Sequence, residues 1–300
     1  MELWTVFDRT DVAKAKLNDY RPIIIETGVL SATNGSARVR LASTDLLIGV
    51  KAELAVIDNM SAYKNCINFY VDCSANATPL FEGKGGQEFG EEIASALYAA
   101  YDNSFAISDL SKLIVSSMHA WKLYVDIVVL QCGGNVIDAA GLGCNYYFFM
   151  FNIVSKPKSI FQVKAALFDT QICEVITRPD DEGKITVDLP EDIVLWKLDV
   201  SRAPLFVGVN KLGSANVVDL SLQEQACCRA ALWIAVSPMI SLEEQASSED
   251  GDYRILFIRQ CGGGSLQSDT LADIVSFGIQ IGMRLQHLLA RYLLVSMEDF

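Results

Sequence analysis

The chain has 300 residues, 51% of them hydrophobic, and a formal net charge of -13 at pH 7. Such a supply of apolar residues excludes disorder as the default and suffices for one large or two small packed domains, while the charge excludes a protein that wraps nucleic acid over its whole surface, a footprint that is normally basic. A mean hydropathy of +0.27 is high for a monomer in water and points to an oligomer whose partners cover some apolar surface.

No stretch supplies the ~18 uninterrupted apolar residues of a membrane helix. The run 146–151 is brief, and 226–240 is broken by Arg229 and Pro238. The N-terminus, MELWTVFDRTDVAKAK, scatters charges of both signs where a signal peptide has an apolar core, so an intracellular protein is expected. Eight cysteines, Cys227 and Cys228 adjacent, fall in no Cys-x-x-Cys pair or zinc-ligand spacing. They read as reduced buried thiols of a cytosolic or nuclear protein, and with only His119 and His287 available no metal site and no cofactor is expected.

In chain order, strand signals dominate the first third: Ile23-Ile24-Ile25, the alternating 36–42, the apolar 46–56 and 67–73. Asn34-Gly35 is expected as a hairpin turn, with Ser43-Thr44-Asp45 as a second turn. A helix is predicted over 88–101, where Phe89, Ile93, Leu97 and Ala100 share one face. A buried strand over 121–131, a turn at Gly133-Gly134-Asn135 and an apolar helix over 136–153 follow. The second half offers strands near 196–199, 205–211, 217–220, 230–236 and 253–260. A helix over 269–294 ends the chain, with Leu271, Ile274, Val275, Gly278, Ile281, Leu285, Leu288 and Tyr292 as its stripe. The segments LLIGVKAEL and LFVGVNKLG each set Gly-Val before a basic residue on an apolar strand, a faint echo between halves. Pro157 and the acidic run near Asp180 mark the seam, giving lobes 1–154 and 155–300 of one compact domain.

Three segments carry a resemblance: YRPIIIETGVLSATNGSARVRLASTDLLIGVKAEL, LFEGKGGQEFGEEIASAL and AWKLYVDIVVLQCGGNVIDAAGLG. With Arg21-Pro22, Thr27-Gly28, Asn34-Gly35-Ser36, Gly49 and the later VDLSLQEQA in order, they resemble the RNase PH family, nearest its non-phosphorolytic exosome ring subunits. The resemblance implies an α+β fold (α/β in the broad sense) of two similar β-α lobes, of the ribosomal protein S5 domain 2-like type. It also implies a hetero-oligomeric, six-membered ring of related subunits around an RNA channel, with cap subunits and nucleases attached, in nucleus, nucleolus and cytoplasm.

Phosphorolytic members attack the RNA 3′ end with inorganic phosphate, which needs fixed cations, N–H donors and a carboxylate. Aligned on them, their arginine pair falls on Lys84-Gly85. Their Gly-Thr-Arg-Thr-like turn reads Gly134-Asn135-Val136-Ile137, and their catalytic Asp falls on Arg202. The resemblance thus implies a degenerate phosphate site at Lys84, Gly85, Gly134, Asn135, Val136 and Arg202, no catalytic residue, and a structural subunit for RNA processing, ribosomal RNA included. Two other readings remain open: phosphorolysis through a site completed by a dimer partner, and an unrelated enzyme using Cys132 or Cys227 as nucleophile.

Arg38 and Arg40 alternate on one strand and share a face. They are the candidates for RNA phosphates, with Lys51 and Lys84 beside them; ion pairing to a neighbouring subunit is the competing role. Asp188, Glu191 and Asp192 are the one carboxylate group that Mg²⁺ would accept, and read more simply as solvated charges.

Overall fold

The computed structural model describes residues 18, 20, 21, 23–57, 66–103, 105–107, 110–116, 118–141, 166–167, 170–179, 185–190, 192–240 and 251–298. β1 (Ile23–Thr27), β2 (Gly35–Leu41), β3 (Thr44–Val56), β4 (Ile67–Cys73) and β5 (His119–Gln131) form a five-stranded sheet in the order β1-β2-β3-β5-β4. Only β4 and β5 run parallel. Period-two burial explains the register: Ala37, Val39 and Leu41, then Leu46, Ile48 and Val50, then Leu123, Val125, Ile127 and Val129 all enter the core.

Both turn expectations shift. Leu41 pairs with Thr44, so Ala42-Ser43 is the turn, with Ala42 at φ +50°, and Thr44 and Asp45 belong to β3. Asn34-Gly35 is not a hairpin turn: the β1–β2 connection spans 28–34, Gly28 takes the positive φ of +66°, and Gly35 opens β2. Gly35 is needed for another reason, since a Cβ there would lie 2.5 Å from the Ala166 carbonyl oxygen.

α1 (Gly85–Tyr101) begins three residues before the predicted start, at the Gly-Gly pair. It lays Gly86, Gly90, Ile93, Ala96, Leu97, Ala100 and Tyr101 on the sheet, and Phe89, half-buried, stacks on Phe81 at 5.6 Å. α2 (Val136–Gly141) follows β5; the rest of the helix expected over 136–153 lies outside the described residues.

In the second half β6 (Gln171–Cys173), β7 (Ile176–Pro179), β8 (Ile185–Asp188) and β9 (Leu195–Lys197) make the pairs β6–β9 and β7–β8. β10 (Leu205–Leu212), β11 (Ala215–Val218), β12 (Ala230–Pro238) and β13 (Tyr253–Cys261) make an antiparallel sheet in the order β11-β10-β12-β13. α3 (Leu222–Cys227) interrupts it, and α4 (Ser268–Glu298) covers it. Of the predicted stripe on α4, Ile274, Gly278, Ile281 and Leu285 are buried, whereas Leu271 is exposed; the side chain of Tyr292 lies outside the described ones. No described helix is long and apolar enough to cross a membrane.

The two sheets share one hydrophobic core. α2 packs on β2, β3 and β10 at once, and the fully buried Tyr101 closes α1 onto the second sheet by donating its hydroxyl to the Pro204 carbonyl at 3.2 Å.

Candidate functional site

Two turns meet back to back where the sheets join. After β5 the chain reverses at Gly133-Gly134-Asn135, and after β11 at Asp219-Leu220-Ser221. Gly134, Asn135 and Asp219 take φ of +102°, +58° and +52°, the left-handed region that Gly enters freely and Asn or Asp tolerate. A Cβ on Gly134 would meet the Leu220 carbonyl oxygen at 2.5 Å and the Leu222 nitrogen at 2.6 Å. The Leu222 N–H donates to Gly133 O at 3.0 Å, and Ser221 and Glu224 cap α3 reciprocally.

Arg21 locks the two turns. Its Nε and Nη2 donate to Asp219 Oδ2 at 2.9 Å and Oδ1 at 2.8 Å, and its backbone N–H reaches Oδ2 at 2.6 Å. Nη1 donates to the Gly133 carbonyl at 3.0 Å, and Nη2 also reaches the carbonyls of Gly134 at 3.3 Å and Leu220 at 3.4 Å. Asn135 Nδ2 adds a bond to Asp219 Oδ1 at 2.8 Å. Burial would raise the Asp219 carboxyl, but the bonds and charge of Arg21 outweigh it and hold the group below its ordinary range.

Asp138, on α2, is the counterpart without a cation among the described residues. Its Oδ1 accepts the Gly208 N–H at 2.5 Å and its Oδ2 the Tyr20 hydroxyl at 3.0 Å. Burial pushes this carboxyl up to about 7, with the Asp219 charge adding to the rise. One buried acid is thus held ionised by its arginine, and the other holds a proton near neutral pH.

The residues aligned with a phosphate site divide among three places. Gly134, Asn135 and Val136 sit in the junction just described: the Asn135 amide is spent on Asp219, and Val136 and Ile137 are core residues, 3% and 4% exposed. Lys84 and Gly85 open α1 near the same end of the first sheet. Lys84 is exposed and makes no ion pair among the described residues. Arg202 lies elsewhere: its carbonyl accepts from Ser237 Oγ at 2.6 Å, Ser237 pairs with Arg254, and the Arg254 guanidinium sits 3.9 Å above Phe105, just beyond the far end of α1. A 17-residue helix is about 25 Å long, so Lys84 and Arg202 are at opposite ends of it. Cys132 is half-buried and burial pushes its thiol up, the direction opposite to an activated nucleophile.

Arg38, Arg40 and Lys51 do share a face, the side of the first sheet turned away from α1. On it Arg38 grips Asp45 with Nε at 3.1 Å and Nη2 at 2.8 Å, and Arg40 Nε is 3.6 Å from the same carboxylate. Lys51 is exposed on that face, six residues along β3 from Asp45, or about 20 Å. Glu26, Glu53, Asp72, Asp126 and Lys122 occupy the same face by strand register, which leaves a field of mixed sign. Lys84, on the helix that covers the other side, does not join them. Among the described residues no group of His, Cys, Asp or Glu could hold a metal ion; of the carboxylates Asp188, Glu191 and Asp192, Glu191 lies outside the described residues.

Sequence reasoning passed over Tyr20, Asp138 and Asp219, although a signal existed. NVIDAAG and NVVDLSL each set a lone acid among apolar residues, and a buried carboxylate requires a partner or a proton.

Residues 19–146 match the model of the RNase PH family, described as "3' exoribonuclease family, domain 1". Over residues 19–146, then, the chain is similar to domain 1 of that family. Its relatives include an RRP42 of Dictyostelium discoideum, named as a conjectural exosome complex exonuclease and 28% identical over 75% of this chain and 78% of its own length. Another is the exosome complex component Rrp42 of Methanothermobacter thermautotrophicus, 27% identical over 88% of this chain and 83% of the relative. Among solved structures, an archaeal exosome core has a chain that superposes with a TM-score of 0.66 at 20% identity, covering 94% of this chain and 93% of that one. An Archaeoglobus fulgidus exosome with RNA bound to the active site gives 0.67 at 21% identity, covering 94% of each chain. These superpositions show that the fold shared with those chains extends over both sheets.

Proposed function

We propose that this chain is a non-catalytic, RNase PH-type ring subunit of an RNA exosome, which builds the RNA channel and helps guide 3′ ends to nucleases held elsewhere in the assembly. Related PH-type subunits are its ring neighbours, with cap subunits and nucleases beyond them. Lobes 1–154 and 155–300, and a place in nucleus, nucleolus and cytoplasm, belong to the same reading.

One observation carries the loss of activity: the side-chain donors of Arg21 and Asn135 in the junction bind groups of the chain itself. In-line attack on a 3′ phosphodiester needs N–H donors and cations aimed at a phosphate. Here the donors of Arg21 are spent on Asp219 and three carbonyls, the Asn135 amide on Asp219, and Val136 and Ile137 fill core. Lys84, exposed at the start of α1, has Glu82 and Glu88 close in sequence. Losing one oxyanion-type donor costs about 2.7–4 kcal/mol of transition-state stabilisation, and a whole set of donors is missing here.

The test is incubation of the purified chain, alone and in its native assembly, with 3′-labelled RNA and inorganic phosphate. The chain alone should release no nucleoside diphosphate and should co-purify with other PH-type chains. Phosphate-dependent shortening by the isolated chain would sink the proposal.

A further inference from the structure

The first sheet hands the chain to α2, and α2 meets the second sheet through a carboxylate. The helix packs on β2, β3 and β10 at once, and its Asp138 is wholly buried. β11 accompanies β10 only as far as Val218 opposite Val209 and then turns away at Asp219. Past that pair the Gly208 N–H donates instead to Asp138 Oδ1 at 2.5 Å. The approach requires glycine, since a Cβ on Gly208 would lie 2.9 Å from the same oxygen.

Charge is unevenly shared around this contact. Asp138 and Asp219 are both wholly buried, and the one guanidinium of the joint is committed to Asp219, from which Arg21 Nε and Nη2 stand 2.9 and 2.8 Å. Asp138 faces neutral donors, the Tyr20 hydroxyl at 3.0 Å, the Gly208 N–H and the Asn135 amide, and the Asp219 charge opposes its ionisation. Glu224 and Cys132 act on Arg21, and Glu224 also caps α3. The buried residues of β2, β3 and β10 add no ionisable side chain. Among the described residues, an ionised Asp138 therefore has no cation of its own in a site closed to water, which is costly for a charge. Opening the contact to water relieves that cost.

We propose that the joint is a proton-operated latch: with the Asp138 carboxyl protonated α2 and β10 are locked together, and when it releases its proton to solvent the contact between them opens and hydrates. Burial pushes this carboxyl up to about 7 in the closed joint, whereas water returns it to the ordinary range near pH 4. The open form is therefore favoured progressively from about pH 4 to about pH 7 and no further above that.

Hydrogen exchange of single amides, followed by NMR on the full chain from pH 5 to pH 8 and corrected for the intrinsic pH dependence of exchange, reads the latch at Gly208. Its protection should fall about tenfold per pH unit up to near pH 7 and then level off. Ile234, paired with Val207 on one side and Ile258 on the other, should stay about tenfold or more better protected at every pH, because it opens only with the whole fold. In Asp138→Asn the protection of Gly208 should not change with pH. Tyr20→Phe removes a donor that favours the ionised form, so it should move the levelling point to higher pH; a merely structural Tyr20 would lower protection at all pH values and leave that point in place. Protection of Gly208 that is independent of pH, or equal to that of Ile234, overturns the latch. So does a pH-dependent fall that survives in Asp138→Asn, or a levelling point unmoved in Tyr20→Phe. Should Asp138→Asn fail to fold, the wild-type and Tyr20→Phe profiles decide.

Discussion

Two arginine–aspartate clusters in this molecule use the same chemistry in opposite settings. Arg21 and Asp219 meet in the joint between the lobes, with Asp219 wholly buried; Arg38 and Arg40 flank Asp45 on an open sheet face. Both are forked, bidentate pairs, so geometry does not separate them. Burial does: an exposed pair contributes at most about 1 kcal/mol because water already solvates its members, whereas a buried charge that loses its partner has nothing to replace it. The joint is held by its ions and the face is merely decorated by them.

The largest predicted effect follows from breaking the buried pair. Asp219→Ala takes from Arg21 its bidentate partner, leaving three carbonyls and the charge of Glu224, removes the Asn135 bond to Asp219, and should cost about 3–5 kcal/mol of stability. Urea unfolding monitored by Trp fluorescence measures it. A loss below about 1 kcal/mol would place the two clusters in one class.

Next in size is Gly134→Ala. The added methyl would sit 2.5 Å from the Leu220 carbonyl oxygen on a residue already at φ +102°, so the two turns must separate, at a cost of roughly 1–3 kcal/mol. Gly213, at φ +59° with nothing within 4 Å of its Cβ position, is the control: Gly213→Ala carries the backbone strain without the collision and should cost less.

Asp138 tests the other half of the joint. Its carboxyl binds a proton in the folded chain up to about 7, well above the ordinary value, so the folded state holds more protons than the unfolded one between about pH 4 and 7. Stability from this group is therefore present at low pH and is lost as pH rises through about 7. Asp138→Asn keeps an acceptor for Gly208 and gains a donor for Tyr20 while losing the titration. Measured against wild type, its relative stability should improve from pH 5 to pH 8, on the order of 1 kcal/mol or more. Parallel stability curves would mean that Asp138 titrates alike in both states.

The same contrast explains what could be read from the sequence. Period-two and period-3.6 patterns gave β2, β3, β5, α1 and α4 within a few residues, because those elements bury one face each and their apolar positions record it. The start of α1 was missed because Gly85 and Gly86 are poor helix formers; what puts Gly86 in the helix is its close fit against the Cys73 and Phe81 carbonyls. Asn34-Gly35 misled for a similar reason, since a glycine demanded by close packing looks the same in sequence as one demanded by a turn. At the candidate site the composition of the 134–137 turn, Gly-Asn-Val-Ile, was legible in the sequence. The network around it was not, because it joins Arg21, Asn135 and Asp219 across most of the chain and no local period records such a contact.

The smallest effect on stability, and the sharpest test of the open face, comes from Asp45→Asn. Asp45 currently ties down two guanidiniums, 32% and 44% exposed, so its neutralisation should change stability by less than about 1 kcal/mol while releasing Arg38 and Arg40. If this face borders RNA in the assembly, affinity for a single-stranded RNA should rise and its dependence on log salt should steepen by roughly one unit, in proportion to the extra phosphates met. Lys51→Ala, on the same face but about 20 Å along β3, should shift both quantities the other way and by less. An RNA affinity indifferent to all three side chains would assign the face to protein contacts alone, because phosphate binding cannot be blind to the removal of the carboxylate that competes for the same arginines.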